Sequence, residues 1–319
     1  MRMDGDSWDI VTSVGLTALG VATFRALETL DPEPLIHDEY AAWFVEAASE
    51  PHFLRMLDDP ASAGPVSLFG RFVGIRTKFF DEFFAAAWQR GVRQAVILAS
   101  GLDARAYRLD WPAGTVVFEI DQTGVLEFKN RVLAEHGAVA TAERRALAVD
   151  LRDDWPAALT TAGFDPGRPA AWSAEGLLPF LPGQAHDALF ERIDALSAPG
   201  SWVATDDFGR GLDQHHFDME QKFFGANPFG NLNVRDLWYD DARTDPGDWL
   251  SQRDWSVHRA SPFDLAATYG RPIIDLPTDL PAEVLDRMRQ ASYISAEKHP
   301  VSPQDKHHER TENVTGKNR

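Results

Sequence analysis

The segment 96–129, VILASGLDARAYRLDWPAGTVVFEIDQTGVLEFK, constrains the fold more than any other. It opens inside an apolar run, 95–99, of the kind buried on both faces of a parallel sheet. Ser100-Gly101-Leu102-Asp103 breaks that run, and 104–109 has helix-forming character. Trp111-Pro112-Ala113-Gly114 then turns the chain into a second β-rich run, 115–120, whose end carries Glu119 and Asp121. A strand, a glycine turn, a crossover and an acid-tipped strand make a nucleotide-cradling half-unit. Gly101 lets the backbone approach a ligand closely, and the acid can accept from both hydroxyls of a ribose. Alternation puts Glu119 and Asp121 on one face, so the residues alone leave both open for that role.

The glycine count argues against a dinucleotide. A pyrophosphate seated on a helix N-terminus needs a run of glycines around it. This turn has one, followed by Asp103, whose charge would repel a pyrophosphate but tolerate a cationic ligand. S-Adenosylmethionine carries a sulfonium, an α-amino group and a ribose, and no phosphate, so it fits the turn better.

Around this unit the chain reads as an α/β fold. A helix is predicted over 8–29, with a break near Gly15 and Gly20, and Asp31-Pro32-Glu33-Pro34 stops it. Amphipathic helices follow over 37–48 and, rich in phenylalanine, over 68–90, with 58–65 as loop. Arg76 is the exception on the second helix's apolar face, where a snorkelled charge is the ordinary reading. Residues 122–137 read as a crossover helix and 145–149 as a third strand, ending at Asp150-Leu151. Asp150 is placed to accept from an adenine amino group while the next backbone amide, that of Leu151, donates to a ring nitrogen. Its competing use is to cap a helix beginning near Asp153. A fourth strand, 170–174, leads to Glu175, which either contacts cofactor or substrate or is satisfied by local amides. After a helix over 184–198, a fifth strand, 202–206, again ends in acids, Asp206 and Asp207. Helices over 248–252, 262–269 and 282–289 alternate with strands over 255–259 and 291–296. The spacing is that of a doubly wound, mostly parallel sheet.

ILASGLDARAYRL followed by VFEIDQ and VLEFK resembles the S-adenosylmethionine-dependent methyltransferases of the leucine carboxyl methyltransferase family, in its actinobacterial branch. The likeness runs from about Trp8 to about Lys298. It implies a class I methyltransferase sheet closed by an antiparallel last strand, an arginine at position 76 on the cofactor carboxylate, and Asp121 rather than Glu119 on the ribose. The implied cofactor contacts are Arg76, Gly101, Asp121, Asp150 and Leu151, with Glu175 in support. The family's EGLLMYLP segment corresponds to Glu175–Pro182, where Pro179 and Phe180 replace methionine and tyrosine, so a tyrosine hydroxyl is missing there.

The expected organisation is an N-terminal helical cap over 1–90, a cofactor-binding α/β core over 91–208, and a lid or substrate insertion over 209–247. The core ends over 248–297, and a disordered polar tail occupies 298–319. The insertion holds His215 and His216, with Tyr239, as candidates for a base; none is singled out as catalytic, and adjacent histidines without an acid partner make a metal improbable. A net charge of −18 disfavours nucleic acid and anionic membranes as partners, which call for a basic surface. The absence of cysteine removes thiolate chemistry and cysteine-held metals. Without a signal pattern or spanning run, a cytoplasmic enzyme is expected. The expected reaction is O-methylation of a carboxylate or hydroxyl on a small molecule. Two alternatives are a cofactor-binding protein of this fold without turnover, and a nicotinamide-dependent oxidoreductase, which lacks its phosphate-binding glycines here.

Overall fold

The computed structural model describes residues 13–60, 67–207, 227–239, 241–273, 276 and 281–300. His215 and His216, with residues 209–226 and 240 of the expected insertion, and the tail beyond residue 300 lie outside the described residues.

The first buried run forms β1 (Gln94–Leu98), all five residues of which are buried. It pairs in parallel with β2 (Val116–Asp121) on one side and β4 (Ala171–Ala174) on the other. Beyond β2 lies β3 (Glu143–Ala148); beyond β4 lies β5 (Trp202–Asp207), also parallel. The last strands, β6 (Trp255–Ala260) and β7 (Ser292–Lys298), form the antiparallel pair that closes the sheet in the order β3-β2-β1-β4-β5-β7-β6. The direction of winding reverses between β1 and β4, and ligands of open α/β sheets bind in the crevice at such a point.

Helices α1 (Ser13–Thr29), α2 (Glu39–Ala48), α3 (Pro51–Asp58) and α4 (Ser67–Gln89) precede the sheet. Helix α1 does not break at Gly15 or Gly20: a Cβ on Gly20 would lie 2.6 Å from the Phe229 ring, so that glycine serves close packing. Gly70 and Gly74 of α4 work the same way. Added Cβ atoms there would lie 3.0 Å from Phe24 and 2.8 Å from the Glu28 carboxylate, one helical turn apart on α1. Helix α3 was not expected; Pro51 opens it and the Glu50 carboxylate accepts from His52 and Phe53 amides.

Three apolar clusters result. Trp155, Trp172, Phe190 and Trp249 fill one face of the sheet, and Phe79, Phe80, Phe83 and Phe84 fill the other. The third cluster joins α1, α2 and α3 to Leu102 and Ala104 of the turn after β1. Thus the cap helices pack directly against the predicted cofactor loop. No helix among the described residues is long and apolar enough to cross a membrane.

Candidate cofactor site at the strand ends

The turn after β1 holds two left-handed residues close together, Ala99 (φ 50°) and Gly101 (φ 48°). Glycine adopts that conformation freely, whereas for alanine it costs about 1–2 kcal/mol. Neighbouring strands impose it. Ser100 donates its N–H to the Ile120 carbonyl at 3.0 Å, and Gly101 donates its N–H to Asp121 Oδ2 at 2.6 Å. The second Asp121 oxygen accepts from the Gln122 amide at 2.7 Å. Burial raises the Asp121 carboxyl above its ordinary range, while those two amides and Lys129 pull the other way.

Glu119, two residues earlier, is fully buried and committed elsewhere. Lys129 Nζ lies 2.8 Å from its Oε2 and Arg144 Nη2 2.6 Å from the same atom. Helix α6 (Thr123–Glu135) supplies the lysine and β3 the arginine. Of the two acids that alternation could not separate, Asp121 is the one that reaches the Gly101 turn.

Arg105 begins the short helix α5 (Arg105–Arg108) and is buried. Its Nε donates to Asp81 at 2.7 Å; its Nη1 donates to Glu175 at 2.7 Å and also to Asp103. Burial alone would raise the Asp103 carboxyl, but Arg105, Lys129 and Arg108 outweigh it and hold the group below its ordinary range. The Asp103 charge is therefore neutralised by its own loop rather than presented to a ligand. This corrects the ground for excluding a pyrophosphate: the Gly101 N–H is already taken by Asp121. Arg108 grips Asp81 with both terminal nitrogens at 2.6 Å.

Arg76, from the middle of α4, reaches the crevice between β4 and β5 rather than snorkelling to the surface. Its Nε lies 2.9 Å from Glu175 Oε1, and its Nη1 donates to Asp206 Oδ2 at 3.3 Å. Glu175 is thus held by two guanidinium groups, not by local amides. The Gly176 amide instead serves Asp206, donating at 2.8 and 3.0 Å to its two oxygens.

At the opposite end of the crevice, Asp150 accepts from the Arg152 amide and guanidinium at 2.7–2.9 Å, with Gln122 Nε2 at 3.5 Å. It is not the cap of α7 (Trp155–Thr161); Asp154 fills that position, accepting from Ala157 N–H. Leu151 is half-buried against the sheet-face core. Tyr239 lies beside the altered family segment, donating its amide to the Pro179 carbonyl at 2.9 Å, while Phe180 meets Trp238 edge to face. Of the predicted residues, Gly101 and Asp121 meet on one side, and Arg76 and Glu175 on the other, with Asp150 and Leu151 at the end of β3. Arg105 and Asp206 were missed as members of this group. Their only signals were an arginine two residues after Asp103 and an acid at a strand end.

The residues are suited to S-adenosylmethionine. They present a guanidinium for a carboxylate and a half-buried carboxylate for a diol, with an open glycine turn between: a Cβ on Gly101 would meet nothing nearer than 3.8 Å.

Comparison with known proteins agrees with this reading. The model of the family described as "Leucine carboxyl methyltransferase" matches residues 18–194, a span that includes all six predicted contacts. A "Putative S-adenosyl-L-methionine-dependent methyltransferase" of Rhodococcus jostii is 62% identical over 299 residues, covering 93% of this chain and 100% of that protein. One of the same description from Mycobacterium tuberculosis is 49% identical over 298 residues, covering 93% of this chain and 96% of its own. Among solved structures, one described as a putative methyltransferase from Thermobifida fusca has a similar fold. It superposes with a TM-score of 0.51 at 18% identity, covering 82% of this chain and 93% of that one.

Proposed function

The chain belongs to the leucine carboxyl methyltransferase family and is an S-adenosylmethionine-dependent methyltransferase, and from that premise we propose that it methylates an oxygen, carboxylate or hydroxyl, of a small molecule. The observation that carries the site assignment is the Asp121 carboxylate seated on the Gly101 amide at the switch point of the sheet. In this reading Asp121 accepts from the ribose hydroxyls, and Gly101 lets the backbone lie against the ligand. Arg76 holds the carboxylate of the amino-acid end, with Glu175 steadying the guanidinium. Asp150 accepts from the adenine amino group, and the Leu151 amide donates to a ring nitrogen.

When bound, the cofactor supplies an electrophilic methyl group on a sulfonium, whose departure leaves a neutral thioether. The chain's own residues then have three tasks: to fix the cofactor's two ends, to align the acceptor oxygen, and to exclude water. A carboxylate acceptor needs no base, and a hydroxyl acceptor does. The absence of a nucleophile–base motif in the sequence fits the first case better. The net charge of −18 makes an acidic protein surface a poor acceptor and favours a small molecule.

Calorimetric titration with S-adenosylmethionine tests the site. Micromolar binding by the wild type, lost in Asp121→Ala and absent for NAD, is the expected result; equal binding by the variant would refute the ribose assignment. A labelled-methyl screen of small acids and alcohols tests the acceptor, since methyl esters release methanol in mild base and methyl ethers do not. A base-stable product would refute the carboxylate reading.

A further inference from the structure

Asp206 is given no role by the proposed function and lies beyond the residues that the family model matches. It sits near the end of β5 with its side chain 1% exposed. The facing groups come from three elements packed around it. Arg76 comes from α4 at 3.3 Å, Glu175 and the Gly176 amide from the end of β4, and buried Tyr293 from the register partner on β7. Among the described residues Arg76 is the one cation within ion-pair distance of Asp206. Glu175, by contrast, keeps Arg105 at 2.7 Å whatever Arg76 does.

The proposed function gives Arg76 a third anion, the carboxylate of the cofactor. Three carboxylates then compete for one guanidinium, and a buried carboxylate that loses its cation favours its neutral form. Glu175 can fall back on Arg105; Asp206 keeps backbone amides, that of Gly176 among them, but no second cation within ion-pair distance among the described residues. We propose that Asp206 is a positioning residue, holding Arg76 and the Gly176 turn at the cofactor's amino-acid end, and that it takes up a proton when the cofactor carboxylate occupies Arg76. This rests on the assignment of Arg76 as the carboxylate anchor.

Protonated, Asp206 still accepts the Gly176 N–H through one oxygen and gains an O–H to donate. In the free protein, burial pushes its carboxyl up to about 6, opposed by Arg76 and reinforced by Glu175. At pH 7 the free group is mostly ionised, so a rise on binding draws a proton from solvent. Affinity then falls as pH rises from about 6 towards the bound-state value, by at most tenfold per pH unit.

The test is titration of the full chain with S-adenosylmethionine at pH 7 in phosphate and in imidazole, whose ionisation enthalpies differ. The ligand's own α-amino group, with an ordinary value of about 8, stays charged there. We expect between about a half and one proton taken up per site by the wild type, and none by Asp206→Asn. Methylthioadenosine, which lacks the amino-acid end, should bind with no uptake. Buffer-independent heat in the wild type, undiminished uptake in Asp206→Asn, or equal uptake with methylthioadenosine would each overturn the proposal. Should the variant fail to fold, the two wild-type titrations still decide it. No binding of S-adenosylmethionine in any buffer would refute the parent assignment, and the proposal with it.

Discussion

Replacing Arg105 by leucine should be among the most destabilising single changes in the chain. The side chain is buried and engages Asp81, Asp103 and Glu175. Two of these acids retain another guanidinium after its loss: Arg108 on Asp81 and Arg76 on Glu175. Asp103 retains none within ion-pair distance among the described residues. Stranding one partner of a buried ion pair costs about 3–5 kcal/mol, a large part of the roughly 5–15 kcal/mol that separates native from unfolded domains. In urea denaturation the midpoint should fall accordingly at pH 7. The pH dependence gives a sharper check. In the wild type Asp103 titrates below its ordinary range, so its contribution is present above that range and fades as pH falls through the folded value. In the variant, burial without Arg105 lifts the same carboxyl above its unfolded value, so it destabilises at neutral pH and the penalty eases with acid. The gap between wild type and Arg105→Leu should therefore narrow from pH 7 to pH 4.5, and adding Asp103→Asn should recover part of it at pH 7. A loss below about 1 kcal/mol, the range of exposed ion pairs, or a gap that widens with acid, would refute the reasoning.

Three further outcomes follow from the same geometry. Glu119→Ala, which strands the fully buried Lys129, should cost about 3–5 kcal/mol in urea unfolding, whereas Asp121→Ala should mainly weaken cofactor binding in calorimetry; the reverse pattern would exchange their roles. His186 is fully buried, and burial pulls its imidazole below the usual range against Asp187, so the unfolded chain binds its proton first. Stability should decline as pH falls below about 6.5, less steeply in His186→Gln, as followed by thermal unfolding from pH 7 to 5. Gly183→Ala would drive a Cβ into the Ala242 carbonyl oxygen, and a shift of that backbone should cost about 1–3 kcal/mol on denaturant unfolding.

Much of the architecture was legible because the core strands are short apolar runs flanked by turn residues. β1, β2, β4 and β5 lie within one or two residues of their expected bounds, and the antiparallel closing pair followed from the family resemblance. Helix α3 escaped notice because its signals, a glutamate and a proline at its start, are no stronger than those of a loop. Position 76 stood out as a cation on an apolar face. What it touches did not: its partner Asp206 lies 130 residues away, and Asp81 is 24 residues from Arg105. Such pairings are decided by the order of strands and helices in space, which no local pattern encodes. The same holds for Glu119 and Asp121. Period-two alternation gives them one face, and only Lys129 and Arg144, arriving from other elements, set them apart.

The seam between the helical cap and the turn after β1 bears on how ligands come and go. Buried Arg25 of α1 pairs with Asp38 at 2.8 Å and donates to the Leu102 carbonyl at 2.7 Å, while Leu102 and Ala104 pack in the cap's own cluster. Swinging α1 outward would strip a charged donor from the backbone next to Gly101 and expose that cluster to water. Traffic by that route would dismantle the cofactor seat with every turnover. The cap is a wall shared with the seat, so removing the first helix should abolish cofactor binding rather than leave a permanently open enzyme.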